Sequence, residues 1–381
     1  MIFQLPKVPP ECTEIIEIID VYREKLRFVL SDNLGGWTGF LARMTYARVI
    51  HSSNTMAGVN ATFDDALAAV DGEQPVGPQD ENWRALNGHR DAMDYVIQLA
   101  KEPTFAHNEG TILGLHFMMM KHDLARNPGR YRPGASHVTN TPRGKPAYDA
   151  PDAELLPGLM RELISQLNEK SAVPVILRAA MAHLNLTMIH PFRDGNGRMA
   201  RALQTFILAR QGILDPKFSS IEEYVGRNAR EYYDVLGEVS RGNWHPERDA
   251  LPWIKFCLRA HYFQARTLLR RTAETAKLWE KLEEEISKRR LPLRTMNALM
   301  DAASGLRVRN PAYRKDSDVS AQAAQRDLKA LVTQGLLLPK GEKRGRVYTA
   351  SPYLTEFFTS SKVSRPISDP FEDPVAPESL A

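Results

Sequence analysis

The sequence MIHPFRDGNGRMAR, residues 188–201, concentrates groups that can take part in chemistry. His190 is a candidate general base, because histidine exchanges a proton near neutral pH. Asp194 offers a hard oxygen ligand of the kind that Mg²⁺ prefers. Arg198 and Arg201 lie three positions apart, so on a helix both can point at one polyanion. The stretch therefore predicts a site that binds a phosphorylated ligand beside a base.

The elements around this stretch must hold these groups together. Segment 173–189 has apolar residues at helical spacing, and Pro191 stops that helix because proline cannot sit inside a continuing one. Gly195 and Gly197 let backbone N–H groups approach an anion without interference from a Cβ atom. A second helix is predicted to open at about Arg198, and a helix N-terminus favours phosphate.

Other glycine-rich motifs fit the stretch less well. A dinucleotide-binding fingerprint follows a strand, whereas this stretch follows a predicted helix. A calcium loop needs an oxygen ligand where Arg198 stands and a glutamate where Thr205 stands. A plain polar turn between two helices would not need these reactive groups together, so we favour a functional site.

Most of the chain shows apolar residues at three- and four-residue spacing, which indicates helices. Such segments are 14–30, 37–50, 83–100, 110–125, 154–169 and 172–189. The exception is segment 127–151, which contains five prolines and three glycines. Within it, 136–148 is predicted to form a short hairpin with PRGK at its tip. A long non-helical excursion in a helical domain is usually functional or disordered.

After about residue 275 the pattern changes to a charged helix, two more helices and two short strands around a Lys/Arg/Gly turn. This order is that of a winged helix-turn-helix domain. Residues 281–350 carry 15 Lys and Arg against 8 Asp and Glu, which favours a DNA partner. Winged helices also bind proteins or dimerise, so both alternatives stay open. The predicted DNA contacts are Arg326, Lys329, Lys343, Arg344 and Arg346.

Composition sets the class of protein. The chain has 381 residues, 43% hydrophobic and 25% charged, which is typical of a soluble globular protein of two or three domains. A net charge of +4 argues against nucleic-acid binding through the whole surface, so any such surface is local. No secretory signal or membrane-spanning run is visible. Cys12 and Cys257 lack metal-ligand spacing, so we expect a cytoplasmic protein with reduced thiols and no membrane partner.

HPFRDGNGRMAR, which starts at His190, resembles the signature of the Fic (filamentation-induced-by-cAMP) family, His-Pro-Phe-x-(Asp/Glu)-Gly-Asn-Gly-Arg-x-x-Arg, at every position. The resemblance extends over about residues 10–270. Fic proteins are mostly AMP transferases, which move AMP from ATP to a Ser, Thr or Tyr hydroxyl of a protein and release pyrophosphate. The resemblance therefore implies a protein adenylyltransferase that uses ATP and Mg²⁺.

The resemblance also implies roles for the residues of the signature. His190 deprotonates the target hydroxyl, and Asp194 binds the Mg²⁺ that bridges the α- and β-phosphates. Arg198 and Arg201 hold the β- and γ-phosphates. Segment 136–148 corresponds to the family's flap, a hairpin that pairs with the backbone of the protein substrate as an added strand.

Further nucleotide-binding residues are implied in the same way. Asn196, with the backbone N–H groups near Gly195 and Gly197, holds phosphate oxygens in an anion hole. Asn228 and Tyr232 lie where the family often supplies groups to the nucleotide. A tyrosine on a helix is more often a core residue, which is the alternative for Tyr232.

Residues 52–60 resemble the inhibitory helix that many Fic proteins carry ahead of the domain, with the pattern (Ser/Thr)-x-x-x-Glu-(Gly/Asn). Ser53 and Gly58 match this pattern, but Ala57 stands in place of the glutamate. In the family that glutamate pairs with the second arginine of the signature, here Arg201, and blocks productive γ-phosphate binding. It also orients water for AMP removal. The resemblance implies a de-repressed transferase that removes AMP poorly, unless the segment is an ordinary loop.

We therefore expect a mostly α protein, with a Fic helical domain, a short β-hairpin flap and a C-terminal winged helix-turn-helix domain. One alternative is a DNA-binding regulator whose Fic domain only senses nucleotide, and another is a transferase with a different nucleotide donor. A homodimer is left open. The expected domains are N-terminal helices at 1–109 with the inhibitory segment at about 45–60, the catalytic core at 110–272, the winged helix at 275–352 and a disordered acidic tail at 353–381.

Overall fold

The computed structural model describes residues 1–31, 36–75, 79–139, 146–212, 216–342, 346–363 and 368–372. The chain divides into two compact units. Unit one comprises Met1–Arg27, Thr45–Arg266 and Ile367–Ala381, and unit two comprises Phe28–Met44 and Thr267–Pro366. No helix within the described ranges combines the length and the apolar character that crossing a bilayer requires.

Unit one is built mainly from helices. Those with residues in it are α1 (Pro10–Ser31), α2 (Trp37–Thr55), α3 (Phe63–Val70), α4 (Glu81–Leu99), α5 (Glu109–Met120), α6 (Leu156–Asn168), α7 (Val175–Ile189), α8 (Asn196–Ala209), α9 (Pro216–Ser219), α10 (Glu222–Arg227), α11 (Ala229–Ser240) and α12 (Leu251–Lys288). Strands β1 (His137–Thr139) and β2 (Pro146–Asp149) form an antiparallel pair, with His137 opposite Asp149. The predicted hairpin is therefore confirmed for its two strands, whereas its tip, 142–145, lies outside the described residues.

Helices α7 and α8 lie at the centre of unit one. Nearly every side chain of both helices is buried, and the buried set includes His183, Asn185 and Gln204. Buried polar groups cost free energy unless they find hydrogen-bond partners. The two central helices therefore carry a connected polar interior as well as an apolar core, and the signature lies where they meet.

The connection between α7 and α8 follows from three residues. His190 adopts a left-handed conformation with φ of 48° at the end of α7, and Pro191 prevents the helix from continuing. Gly195 precedes α8 with φ of 79°, a region that glycine adopts without strain. The predicted turn and second helix are thus confirmed, with α8 beginning at Asn196, two residues before Arg198.

Unit two carries a small sheet among helices. Its elements include α13 (Met296–Ala303), β3 (Val308–Arg309), α14 (Asn310–Ser317), α15 (Ala321–Thr333), β4 (Leu337–Lys340), β5 (Val347–Ala350) and α16 (Pro352–Ser361). The strands are antiparallel in the order β3-β5-β4. Leu282, Leu299, Leu328 and Leu354 are among the buried side chains that form its core. Sequence periodicity predicted α13, α15, β4 and β5 but missed β3 and α14, which are short and polar.

The prediction of a disordered tail over 353–381 is wrong for its first part. Helix α16 forms there because the Ser351 hydroxyl accepts a hydrogen bond from the Leu354 backbone N–H at 3.2 Å, and proline is tolerated in a first helical turn. Leu354 is fully buried in the core of unit two. Within unit one, Asp369 forms an ion pair with Arg259 at 2.6 Å. Asp369, an acidic residue of the predicted tail, is therefore held by an ion pair.

Candidate active site

The loop between α7 and α8 is braced from outside the signature. Arg132 donates from Nε to the His190 carbonyl oxygen at 2.8 Å. His116 lies 2.9 Å from the Asp194 carbonyl oxygen through Nε2 and accepts from the Gly129 N–H through Nδ1 at 2.8 Å. Sequence reasoning missed Arg132 and His116, because they approach the signature only on folding. The one available signal was the long proline-rich excursion that contains Arg132.

His190 is arranged to accept a proton. Its Nδ1 lies 3.3 Å from the Thr187 carbonyl oxygen, which can only accept, so Nδ1 carries the hydrogen and Nε2 is the free base. Burial lowers the pKa of His190 to about 4, and the nearby Arg132 charge acts in the same direction. The imidazole is therefore neutral at pH 7, and an anion in the site would raise its pKa.

The N-terminus of α8 has backbone N–H groups that can bind an anion. No side chain in the described ranges caps this helix, so its first N–H groups point outward as an anion site. The Asn196 side chain accepts from the Phe192 N–H at 2.9 Å and donates to the Phe192 carbonyl at 2.8 Å. It therefore shapes the loop. A Cβ at Gly197 would lie 3.2 Å from Arg201 Nη1, so glycine lets the guanidinium lie over this turn.

Arg198 is buried without an anionic partner. Only 3% of its surface is exposed, and among the described residues the Asp194 carboxylate acts on it through its charge without forming an ion pair. Its donors reach Asn54 Oδ1 at 3.4 Å and Met120 Sδ at 2.8 Å, and its Nε has no hydrogen-bond partner there. Burial lowers the pKa of this guanidinium. A buried cation in this condition is stabilised when a phosphate supplies the missing charge.

Arg201 is held by the segment that resembles an inhibitory helix. It donates from Nε to the Ser53 hydroxyl at 2.9 Å and from Nη2 to the Ser53 carbonyl oxygen at 3.0 Å. Ser53 lies in the last turn of α2, so this segment is the end of a helix instead of an ordinary loop. The structure thus brings Ser53 and Arg201 together, whereas the resemblance implied a contact with Arg201 from the position of Ala57.

Ala57 and Gly58 lie just past the end of α2. Ala57 is exposed and its backbone N–H donates to the Asn54 carbonyl at 2.9 Å. Gly58 has φ of +82°, so the turn requires a residue that tolerates a left-handed conformation.

Glu222 is a buried carboxylate that sequence reasoning did not single out. It is fully buried, and neither of its oxygens has a hydrogen-bond partner in the described part of the chain. Burial raises its pKa to about 7, and the charge of Arg201 opposes this rise. Glu222 lies on α10, which packs closely against α2. The approach is so close that a Cβ at Gly226 would lie only 2.8 Å from Ser52 Cβ.

A cavity opens between His190 and α11. Its empty volume is about 740 Å³, which includes the open mouth. Tyr232, predicted to bind nucleotide, lines it, whereas Asn228 does not and instead donates to the Tyr224 carbonyl at 2.8 Å. The lining residues are Tyr148, Thr187, Met188, His190, Gly197, Arg201, Tyr232, Tyr233, Leu236, Gly237 and Ser240.

Asp194 is the one residue of the signature that suits a metal ion. Its Oδ1 accepts from the Gly195 N–H at 2.6 Å, and the side chain is half-buried. The described residues contain no cluster of three or more His, Cys, Asp or Glu side chains that would hold a metal by themselves. A single carboxylate fits Mg²⁺, which usually binds one or two carboxylates together with phosphate oxygens and water.

The predicted DNA contacts are only partly described. Arg326 and Lys329 are exposed on α15, and Arg346 is exposed before β5. Lys343 and Arg344 lie outside the described residues.

The sequence is similar to known proteins over the region that forms this site. Residues 106–208 match the model of the Fic/DOC family. A protein adenylyltransferase Fic from Nematostella vectensis is 28% identical over 260 residues, which cover 67% of this chain and 56% of that protein. A probable protein adenylyltransferase from Aquifex aeolicus is 34% identical over 98 residues, covering 25% of this chain and 31% of that protein. The chain thus spans about half or less of these relatives' length.

Solved structures of low identity share the fold. A Fic family protein from Desulfovibrio desulfuricans has a TM-score of 0.60 at 20% identity, covering 92% of this chain and 99% of that one. A Fic domain containing signalling protein from Bacteroides thetaiotaomicron has a TM-score of 0.54 at 22% identity, covering 66% of this chain and 96% of that one. The predicted mostly helical Fic fold is confirmed.

Proposed function

Because residues 106–208 of this chain form a Fic/DOC domain, we propose that the protein is an adenylyltransferase that moves AMP from ATP to a hydroxyl group of another protein. The observation that carries the proposal is Arg198, a buried cation without a carboxylate partner at the start of α8. It lies in the same loop region as a neutral base, His190. A triphosphate supplies the charge that Arg198 lacks.

The proposed transfer forms one bond at the α-phosphorus and breaks another. The target hydroxyl oxygen bonds to the α-phosphorus, and its proton goes to His190 Nε2. The bond between the α-phosphorus and the oxygen bridging to the β-phosphate breaks, and pyrophosphate leaves. The N–H groups at the start of α8, with Arg198 and Arg201, hold the phosphates and stabilise the charge that moves onto the leaving group. The histidine proton is then lost to solvent.

Asp194 would hold Mg²⁺ together with phosphate oxygens. When bound, the ion supplies positive charge that lowers the repulsion among the phosphates. His116 and the Gly195 N–H keep the Asp194 backbone and carboxylate in place.

Strand pairing is the proposed means of holding the protein substrate. β1 and β2 are joined to each other, and Asp149 bridges to Asn243 beyond them. An exposed strand edge can take an extended target segment as an added strand. Tyr148 links the hairpin to the catalytic loop by donating from its hydroxyl to the Met188 carbonyl at 2.7 Å. A target strand on this hairpin would therefore lie close to His190.

The regulatory part of the proposal concerns Ala57. Ser53 binds Arg201 from the end of α2, but the residue that would oppose the γ-phosphate there is an alanine. We infer that the chain lacks this restraint and transfers AMP without needing release from it. A glutamate lost from this position would also leave no group to orient water for AMP removal.

The test is incubation of the full chain with isotope-labelled ATP and Mg²⁺, with mass spectrometry for AMP on the chain itself or on added proteins. A mass gain of one AMP supports the proposal. Parallel reactions with GTP, CTP and UTP check the nucleotide donor. Absence of label on any protein, together with absence of ATP binding, would overturn it.

A second candidate function is DNA binding through unit two. The observation that favours it is the exposed polar face of α15, with Arg326 and Lys329, in a helix and three-strand arrangement like that of a winged helix. Phosphate contacts make such binding salt-sensitive. A gel shift of the full chain with duplex DNA, at low and high salt, tests this candidate separately from AMP transfer.

A further inference from the structure

A continuous line of buried side chains runs from α1 to the cavity. Its contacts join Arg23 Nη2 to His261 Nδ1 at 3.4 Å, His261 Nε2 to the Gln204 amide at 3.0 Å, the same amide to His183 Nδ1 at 2.6 Å, and His183 Nε2 to the Tyr232 hydroxyl at 3.1 Å. All five side chains are at most 6% exposed. Five helices, α1, α12, α8, α7 and α11, each contribute one member.

Arg23 fixes the direction of the hydrogen bonds at the start of this line. A guanidinium can only donate hydrogen bonds, so Arg23 obliges His261 Nδ1 to accept. Burial keeps His261 neutral by lowering its pKa well below the ordinary value. A neutral imidazole whose Nδ1 accepts carries its hydrogen on Nε2, so His261 must donate to the Gln204 amide.

The orientation of the Gln204 amide follows from the hydrogen that His261 donates. The structure places Nε2 of this amide towards His261 and Oε1 towards His183. In that orientation His261 would face a donor on both sides, which a neutral imidazole with one acceptor nitrogen cannot accommodate. The oxygen and nitrogen of an amide are assigned from their hydrogen bonds. The oxygen therefore faces His261, and the nitrogen donates to His183 Nδ1.

His183 completes the sequence. Burial lowers its pKa to about 3, so it is neutral and carries its hydrogen on Nε2 when Nδ1 accepts. That hydrogen is donated to the Tyr232 oxygen. The hydroxyl hydrogen of Tyr232 can no longer be given to His183, and it is left for the cavity side. Thr187 lines the same cavity, and its side chain lies close enough to the Tyr232 hydroxyl to act on it as a hydrogen-bond partner, so it marks the direction in which that hydrogen points.

We propose that Arg23 is a positioning residue, which acts through His261, Gln204 and His183 to make the Tyr232 hydroxyl a hydrogen-bond donor towards the cavity. The inference rests on the proposed function in one respect, which is that the cavity takes a nucleotide. Tyr232 then favours a ligand that presents an acceptor, either a base ring nitrogen or a ribose oxygen, and disfavours one that presents a donor. A buried donor left unpaired is costly, so a ligand that presents a donor there should bind roughly five- to hundred-fold more weakly.

The direct test is histidine tautomer measurement by ¹⁵N NMR on the free full-length chain. The expected result is that His183 and His261 both carry the hydrogen on Nε2. A hydrogen on Nδ1 of His183 would overturn the proposal, because Tyr232 would then donate to it. This measurement needs no variant and no ligand, so it decides the proposal even if the chain does not bind nucleotide.

Variants at the start of the line test its origin. Arg23→Met removes the obligatory donor, and both directions become available, so His183 should show a mixture of tautomers. Arg23→Lys keeps a donor and should retain the single tautomer. Asp20→Asn removes the exposed partner of Arg23, 3.6 Å away, without removing the donor, and is the matched control. An unchanged single tautomer in Arg23→Met would show that the direction is set elsewhere.

Ligand affinities test whether this line of hydrogen bonds affects binding in the cavity. Arg23→Met should weaken ATP binding about fivefold, the effect of one ordinary hydrogen bond. The loss should vanish for whichever analogue lacks the acceptor, 2′-deoxy-ATP for a ribose oxygen or a deaza-ATP for a ring nitrogen. Equal losses for every analogue would mean that Arg23 acts on the fold as a whole. Absence of binding by the unaltered chain would refute the proposed function and leave the tautomer result to decide this inference.

Discussion

Ala57→Glu restores the carboxylate that the inhibitory pattern lacks, and we expect it to suppress AMP transfer. Ser53 occupies Nε and Nη2 of Arg201, so the remaining edge, Nη1 over Gly197, is the part left for a phosphate or a carboxylate. A glutamate at that edge removes a charge-assisted contact of about 1.5–3 kcal/mol from the nucleotide. ATP affinity should therefore fall roughly ten- to hundred-fold. The rate should fall further, because a displaced γ-phosphate misaligns the α-phosphate with His190.

The assay is a cycle of four proteins: the parent, Ala57→Glu, Arg201→Ala and the double variant. Arg201→Ala should itself lower transfer and make the added glutamate nearly silent, because both changes act through one contact. Ala57→Gln has the same size without the charge and is the matched control. Self-labelling rates by mass spectrometry and ATP affinities by calorimetry are measured for each. Additive effects, or an Ala57→Glu protein as active as the parent, would refute the reasoning.

Three further predictions concern other parts of the molecule. His190→Ala should reduce AMP transfer by about two to four orders of magnitude while ATP affinity is kept, as single-turnover labelling and calorimetry would show. Because the folded-state pKa of Glu222 is raised to about 7, its contribution to stability is present in full at low pH and is lost as the pH rises from about 4.5 to 7. The free energy of unfolding of Glu222→Gln should therefore gain roughly 3 kcal/mol relative to the parent across that range in urea titrations, and a constant difference would contradict it. Replacing Arg326 and Lys329 by alanine should weaken any low-salt DNA gel shift of the full chain, and an equal shift would exclude α15 as the contact surface.

The catalytic loop could be predicted from sequence because its geometry is local. Pro191 ends one helix, Gly195 permits the left-handed turn, and Asn196 begins the next helix within a few residues. The types of His190 and Arg198 then define the chemistry. Ser53 was singled out for a different reason, its match to a family pattern, and its hydrogen bonds to Arg201 could not be read from that match.

The supporting residues could not be predicted, because they reach the site through tertiary packing. Arg132 and Glu222 each come from an element that shows no pattern of its own, one from a proline-rich excursion and the other from a six-residue helix. Helix α16 was missed because Pro352 reads as a helix breaker, although proline is acceptable in a first turn. The hydrogen bonds of the Asn196 side chain to Phe192 were likewise not predicted, and its role towards phosphate stays a prediction.

The apolar packing around the site explains why the free protein tolerates buried charged groups there. Among the described residues, Arg198 is a buried cation without an ion pair and Glu222 is a buried carboxylate without a hydrogen bond, so both raise the free energy of the unliganded fold. The apolar packing of α7 and α8 offsets this cost, since nearly every side chain of both helices is buried. A triphosphate relieves part of the cost by giving Arg198 its missing charge. Ligand binding should therefore stabilise the fold by more than its direct contacts alone, because it removes a penalty that the free chain carries.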